Sequence, residues 1–164
     1  MNLVDLFLYN NHFSGPLPRF DTLLSLEKLF CSSNQLTGAV PSYQSSYRLS
    51  HLSVSRNRLT MLNPHTTPSF YGLVIYDVSY NNIGDEACDS LSSIFSEYVI
   101  LAYNNMSCSL SFLKDVVKAQ YLDLSGNSWA FSDKDDTLPY ATLITLVGPL
   151  LRMCLSVCVC VCMR

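Results

Sequence analysis

Apolar residues along this chain recur in one pattern. An apolar residue is followed by a second one three positions later, by a third after two more positions, and by an asparagine after a further three. The first copy is Leu3, Leu6, Leu8 and Asn11. Successive asparagines stand 23, 23, 24, 23 and 23 residues apart, at Asn11, Asn34, Asn57, Asn81, Asn104 and Asn127. This constant register indicates an internal repeat in six copies.

Each copy contains a short alternating segment, such as Leu6-Phe7-Leu8 or Leu122-Asp123-Leu124. Alternation places successive side chains on opposite faces of a strand, so it predicts a strand with its leucines in a core. A strand this short buries its apolar side only by stacking on its neighbours, which predicts a parallel sheet. An asparagine side chain both donates and accepts hydrogen bonds. We therefore expect the six asparagines to form a structural ladder that satisfies the backbone where it leaves each strand.

The segments that return from one strand to the next are of two kinds. Gly15-Pro16 and Gly38 favour an extended, tightly turned path in the first two copies. The fourth copy instead predicts a helix with Asp85 as its N-cap and with apolar residues at Ala87 and Leu91. A shorter helix is expected over Ser111 to Val117.

The repeat spacing resembles that of the leucine-rich repeat family. The early returns are similar to those of plant receptor ectodomains and some protozoan surface proteins, and the fourth is similar to ribonuclease-inhibitor-like repeats. The resemblance implies an α/β repeat solenoid of horseshoe shape, with about six repeats. It would have a short parallel concave sheet, irregular or helical convex returns and an uncapped N-terminus. The first copy begins at Leu3, so we expect a frayed first strand or a chain truncated from something longer.

Three regions are predicted: a repeat array at 2–131, an acidic linker at 132–139 and an apolar tail rich in cysteine and valine at 140–164. The tail is long enough to cross a bilayer through 140–163, although Arg152 opposes insertion. The alternation Val157 to Cys162 also fits a translated run of TG dinucleotides. We favour that interpretation over a metal site, because the spacing lacks the loop of structural zinc sites.

Composition narrows the classes of function. The formal net charge is −3 and no basic run stands out, so nucleic acid is not an expected partner. No phosphate-binding glycine loop, nucleophile elbow or zinc-protease motif occurs, which favours a non-enzymatic protein without cofactors or metals. The chain starts without a secretory signal. Cys31 falls on a core position, whereas the pairing of Cys88 with Cys108 stays open.

Candidate ligand-binding residues are the side chains expected on the concave face. Tyrosine and arginine are enriched at binding hot spots, although strands also favour aromatic residues for their own sake. The candidates are Tyr9, His51, Arg56, Arg58, Tyr80, Tyr98, Tyr103 and Tyr121. His51, Arg56 and Arg58 are predicted to form a small basic group. Asn105 begins the single glycosylation sequon.

The sequence therefore predicts a scaffold that binds another protein or a peptide, as part of a cell-surface recognition ectodomain. Two alternatives stay open. An intracellular scaffold or regulator is favoured by the missing secretory signal and the missing cysteine caps. A degenerate fragment without independent function is favoured by the uncapped start and the dinucleotide-like end. Surface or membrane association is preferred to a cytoplasmic location, and the ligand and oligomeric state stay undetermined.

Overall fold

The computed structural model describes residues 2–20, 22–41, 46–63, 73–92, 94, 96–114, 119–130 and 143–145. The linker predicted at 132–139 and most of the tail predicted at 140–164 lie outside these ranges. Within the described part of the chain, no helix combines the length and the apolar character needed to cross a bilayer.

Seven strands form one parallel sheet in which consecutive repeats are neighbours. Its strands are β1 (Asp5–Phe7), β3 (Lys28–Phe30), β5 (His51–Ser53), β7 (Leu73–Asp77), β8 (Ser96–Ile100), β9 (Tyr121–Asp123) and β10 (Leu143–Thr145). One position in each strand pairs with its equivalent in the next: Leu6, Leu29, Leu52, Tyr76, Val99, Leu122 and Ile144. The repeat spacing therefore sets the register directly. Strand β10 lies inside the segment that the sequence assigned to the tail.

A second parallel sheet joins the returns of the first three repeats. It contains β2 (Ser14–Pro16), β4 (Gln35–Val40) and β6 (Arg58–Leu62) in that order. Gly15 and Gly38 have φ values of +83° and +77°. These values fall in the left-handed region that glycine adopts without steric cost, which explains glycine at both positions.

The later returns contain short helices, as the sequence predicted, but the N-cap is different. A 3-10 helix at Asp85–Ala87 leads into α1 (Cys88–Leu91), and a second 3-10 helix covers Leu110–Lys114. Gly84 is the N-cap of the first, without a side-chain cap. The Asp85 carboxylate instead accepts hydrogen bonds from the backbone and the hydroxyl of Ser107, both at 2.5 Å. The prediction of Asp85 as the cap was wrong because this partner, 22 residues away, takes the carboxylate.

The core is one continuous cluster between the sheets and the returns. Its strand residues, from Leu29 to Leu124, are almost wholly buried, while Leu3, Leu6 and Leu8 of the first turn are only partly buried. Cys31 is buried as predicted, and burial raises the pKa of its thiol to about 11. The described residues thus form a parallel β-solenoid with little helix.

Candidate ligand-binding face

The strands of the long sheet present alternate side chains away from the core, and we call this surface the sheet face. Its first row is Asp5, Lys28, His51, Ile75, Tyr98 and Tyr121, and its second row is Phe7, Phe30, Ser53, Asp77, Ile100 and Asp123. Two residues further along each turn lies a third row, Tyr9, Ser32, Ser55, Ser79, Ala102 and Ser125. The fourth row follows directly: Asn10, Ser33, Arg56, Tyr80, Tyr103 and Gly126. Backbone hydrogen bonds between turns continue through the fourth row, for example from Tyr80 N to Ala102 O at 2.9 Å.

Every residue of the fourth row has a left-handed backbone, with φ between +53° and +65°. For a residue other than glycine this conformation costs roughly 1–2 kcal/mol, so the surrounding turn must hold it in place. Arginine and tyrosine have no special preference for it, unlike asparagine or glycine. Because this backbone conformation is the same in each turn, the side chains of Arg56, Tyr80 and Tyr103 leave the backbone in the same direction.

The asparagine ladder holds this turn from the core side. Asn57 Nδ2 donates to the carbonyl oxygens of Val54 and Ser55 in its own turn, at 3.0 and 3.1 Å. It also donates to Cys31 O of the preceding turn at 3.0 Å, and its Oδ1 accepts from Leu36 N at 3.0 Å. The same pattern of contacts recurs at Asn34, Asn81, Asn104 and Asn127. Asn11 bonds within its own turn, to Leu8 O and Tyr9 O.

Three side chains of the fourth row stack on one another. The guanidinium carbon of Arg56 lies 4.3 Å from the centre of the Tyr80 ring. The Tyr80 and Tyr103 rings are nearly parallel, at 12°, with centroids 4.4 Å apart. The far side of Tyr103 lies against Gly126, where an added Cβ would be 2.6 Å from Tyr103 Cδ1. The row therefore forms a continuous stack in which ring faces contact their neighbours, while Tyr80 and Tyr103 stay exposed.

Tyr98 and Tyr121 form a second pair in the first row. They are register partners in β8 and β9, with ring centroids 6.2 Å apart and planes inclined at 31°. The two tyrosine pairs lie on either side of the second and third rows. The C-terminal half of the sheet face is thus a trough with aromatic walls.

The floor of this trough carries two carboxylates that sequence reasoning did not single out. Asp77 Oδ2 accepts from Ser53 Oγ at 2.9 Å, and Asp77 Oδ1 accepts from Ser79 N and Ser79 Oγ at 3.0 and 2.6 Å. Asp123 Oδ1 accepts from Ser125 N at 3.0 Å. The signal was present in the sequence, because both aspartates precede a serine by two residues.

The N-terminal half of the sheet face is aromatic and basic. Phe7 contacts Phe30 and Tyr9, with ring centroids 5.3 and 6.3 Å apart, and Phe30 lies 6.4 Å from His51. Phe7 and Tyr9 are each 53% exposed, so this end offers a contiguous apolar surface.

The basic group predicted from His51, Arg56 and Arg58 does not form as one cluster on this surface. His51 lies in β5 with its Nδ1 2.8 Å from Ser50 Oγ, and Arg56 lies on Tyr80. Arg58 begins β6 of the second sheet, because the strand of the long sheet in this repeat, β5, already ends at Ser53. Arg58 is therefore removed from the candidates for the sheet face.

The remaining candidates lie at residues 85–88 and 105–108, in the returns of the fourth and fifth repeats, and we call this region the rim. Cys88 and Cys108 form a disulfide with their Cα atoms 5.8 Å apart. Asp85 lies close to both sulfurs, but a disulfide offers no thiolates to a metal. Hydrogen bonds from the hydroxyl and backbone of Ser107 lower the pKa of Asp85. Asn105 is exposed, and its backbone N–H donates to Ile83 O at 2.8 Å.

Comparison with solved structures places this fold beside plant receptors. The chain is similar to the Arabidopsis receptor kinase HAESA, solved with the peptide hormone IDA and a co-receptor. The identity is 24%, the TM-score is 0.66, and the match covers 79% of this chain and 22% of that one. A TDR receptor matches at 24% identity and a TM-score of 0.52, over 89% of this chain and 30% of its own.

A third similar structure is the leucine-rich-repeat ectodomain of the Arabidopsis thaliana receptor kinase GASSHO1/SCHENGEN3, solved with CASPARIAN STRIP INTEGRITY FACTOR 2. Its identity is 17%, its TM-score is 0.51, and the match covers 91% of this chain and 25% of that one. No protein-family model and no curated protein sequence matches the chain. These likenesses show a leucine-rich-repeat fold, and the chain spans between a fifth and a third of the length of these three solved chains.

Proposed function

We propose that this leucine-rich-repeat chain is a non-enzymatic scaffold that binds another protein or a peptide on its sheet face. In this proposal the repeats form a horseshoe of about six turns, with the sheet face on the concave side. The stacked row of Arg56, Tyr80 and Tyr103 is the observation that carries it. Two of the similar receptors were solved with a peptide hormone or a named factor, which supports the same use of the fold here.

The stack supports binding because it is ordered before a ligand arrives. Tyr80 is 41% and Tyr103 is 48% exposed, yet both rings are held by their neighbours and by a constrained backbone. Ordering a side chain on binding costs about 0.5–1.5 kcal/mol, and a pre-ordered surface avoids most of that loss. Large aromatic side chains with polar tips are also the residues that dominate measured binding energies.

The geometry of the polar residues supports a binding role over catalysis. His51 shares a hydrogen bond with the adjacent Ser50, but the Ser50 hydroxyl also donates to Glu27 O at 3.1 Å. Among the described residues, no carboxylate orients the His51 ring. A nucleophile needs a base that is itself oriented by a third group, and this pair lacks one.

The rim supports maturation in an oxidising compartment, and hence a cell-surface location. Disulfides persist mainly in exported proteins. Cys88–Cys108 and the exposed Asn105 lie close in sequence on the same rim. The membrane-spanning role of 140–163 and the region boundaries at 131 and 139 stay predictions, because most of that segment and both boundaries lie outside the described ranges.

The test is to select peptides from a displayed random library against the immobilised full chain, and then to measure each selected peptide by titration calorimetry. Tyr80→Ala and Tyr103→Ala should each weaken binding about tenfold, a typical loss for a hot-spot aromatic. Tyr47→Ala is the matched control, since Tyr47 is 62% exposed but lies in a return segment between β4 and β5. Thermal melting of each variant checks that the fold is intact.

The outcomes separate cleanly. Loss of affinity in the two sheet-face variants, with binding and melting unchanged in Tyr47→Ala, supports the proposal. Selected peptides that bind all three variants as tightly as the unmodified chain would place the binding surface elsewhere and overturn it. A library that yields no binder at all would also count against a peptide-binding role.

A further inference from the structure

We propose that the trough between the two tyrosine pairs binds a basic peptide segment with cationic side chains at positions i and i+3. This inference rests on the proposed function, because it names the chemistry of the ligand for the same sheet face. It is carried by the charge of the trough, by the distance between its two carboxylates and by the walls that flank them.

Between β7 and β9 the trough carries only negative formal charge, and Arg56 borders it where its guanidinium stacks on Tyr80. Across β7 to β9, the four rows contain two carboxylates and no lysine, arginine or histidine. The residues are Ile75, Asp77, Ser79, Tyr80, Tyr98, Ile100, Ala102, Tyr103, Tyr121, Asp123, Ser125 and Gly126. A ligand that complements this surface carries positive charge.

Both carboxylates are positioned and lack a cationic partner among the described residues. Asp77 and Asp123 each accept the backbone N–H of the residue two positions later, so their side chains turn the same way along their strands. Neither is fully buried. A carboxylate oxygen accepts more than one hydrogen bond, so these groups retain capacity for an incoming ammonium or guanidinium.

The distance between Asp77 and Asp123 determines how far apart the cationic side chains of the ligand must be. Asp77 is the register partner of Ile100, and Ile100 is that of Asp123, so the two aspartates lie two strands apart. Two strand separations amount to about 10 Å. An extended polyproline-type segment advances roughly 3.1 Å per residue, so side chains three positions apart are separated by nearly the same distance. The segment would therefore run across the strands, along the row, with its middle over Ile100.

The walls suit long cationic side chains. Lysine and arginine bury their methylene stems on apolar surface while their charged ends reach polar groups. Tyr98 is 41% exposed beside the floor, and the stacked, exposed Tyr80 and Tyr103 flank the floor on the other side. Ile100 supplies the apolar contact between the two acidic positions.

The other end of the sheet face fixes the orientation of the ligand. Lys28, His51 and Arg56 lie in the N-terminal half, where only Asp5 is acidic and is already 3.8 Å from Lys28 Nζ. Basic residues of a ligand are disfavoured there and directed to the C-terminal half. The exposed Phe7 and Tyr9 at the N-terminal end would contact an apolar part of the same segment.

The experiment uses three capped, fluorescein-labelled synthetic peptides and the full chain, with binding followed by fluorescence anisotropy. The first peptide has two lysines separated by two prolines, which hold the polyproline conformation. The second separates the lysines by one proline, and the third replaces both lysines of the first with glutamate. The protein variants are Asp77→Asn, Asp123→Asn and the double variant, and the control is Asp89→Asn, a single charge change at an exposed residue of α1.

We expect the first peptide to bind at least tenfold more tightly than the glutamate peptide and several-fold more tightly than the lysine pair at the shorter spacing. The double variant should lose about tenfold, while Asp89→Asn should bind like the unmodified protein. Raising the salt concentration should weaken the interaction, because exposed charges are screened. The comparison of the peptides on unmodified protein needs no variant to fold.

Equal binding of the lysine and glutamate peptides, or unchanged affinity in a folded double variant, would overturn the inference. The result is distinguishable from failure of the proposed function. If library-selected peptides depend on Tyr80 but carry no basic pair, the sheet face binds ligands and only the basic segment is wrong. If no peptide depends on Tyr80, the proposed function itself fails.

Discussion

Tyr103 and Gly126 are in direct contact: the ring of Tyr103 occupies the space where any larger residue at 126 would carry its side chain. Gly126 also has a φ of +65°. Gly126→Ala combines a strained backbone with a clash, so we expect a loss of about 2–4 kcal/mol in the free energy of unfolding. Urea titration measures it. Gly84→Ala is the control, since its nearest contact would be Asn105 O at 4.0 Å, and a similar loss there would show that the ring contact is not the cause.

Asn57→Leu removes four hydrogen bonds and leaves partly buried carbonyl and amide groups without these partners. Each unsatisfied buried group costs about 1–3 kcal/mol, so the variant should lose at least 3 kcal/mol of stability. Chemical denaturation compares it with Asn82→Leu, where the side chain is exposed. A wild-type melting curve for Asn57→Leu would contradict the structural role of the ladder.

Replacing both Cys88 and Cys108 with serine should lower the free energy of unfolding by about 3 kcal/mol, through the greater conformational freedom of the unfolded chain. The bond closes a separation of 20 residues. Adding a reductant to the unmodified protein should give the same loss, whereas it should leave the double variant unchanged. Equal stability of the oxidised and reduced unmodified protein would show that the bond does not form.

The buried thiol of Cys31 predicts a dependence of stability on alkaline pH. Its pKa is raised from 9.0 to about 11, so an unfolded chain loses this proton first as the pH increases. The stabilisation is fully present below pH 9 and is lost between pH 9 and 11. Urea titrations across that range should show a steeper decline for the unmodified protein than for Cys31→Val. Valine occupies the equivalent core position at Val54 and Val78, and parallel declines would refute the assignment.

Tyr76→Phe tests a polar atom in the core. The Tyr76 side chain is fully buried and its hydroxyl has no hydrogen-bond partner among the described residues. Removing a buried, unpaired hydroxyl while keeping the ring should leave stability unchanged or raise it by up to about 1 kcal/mol. Thermal melting measures this change in stability. Tyr76→Leu is a second variant for comparison, because it also removes the volume of the ring. A clear loss in Tyr76→Phe alone would reveal a partner for the hydroxyl.

The sequence predicted the structure correctly at positions whose surroundings are the same in every turn. The strand positions, the burial of Cys31 and the bonding of the asparagines all depend on relationships that recur at a fixed spacing. Residues two positions apart on a strand face the same side, so the row containing Tyr98 could also be read directly. The row of Tyr80 and Tyr103 lies beyond the strand ends, and only the repeat period aligned these two residues.

Contacts that depend on one particular pair of turns were beyond the sequence. Asp85 was expected to cap a helix, but Ser107 of the next turn binds its carboxylate. Arg58 was assigned to the sheet face because nothing local shows that β6 pairs with β4. The stack of Arg56 on Tyr80 depends on side-chain rotamers, and the pairing of Cys88 with Cys108 depends on the width of the returns.

The parallel order of the long sheet has a consequence for synthesis of the chain. Each turn bonds to the turn made immediately before it, and the ladder bonds between turns span 21 to 27 residues. A nascent segment therefore meets its partner after about one further repeat has left the ribosome, with no need to wait for the C-terminus. Folding would proceed in the order of translation, and a pause at any point would leave a shorter array already docked rather than an unfolded chain.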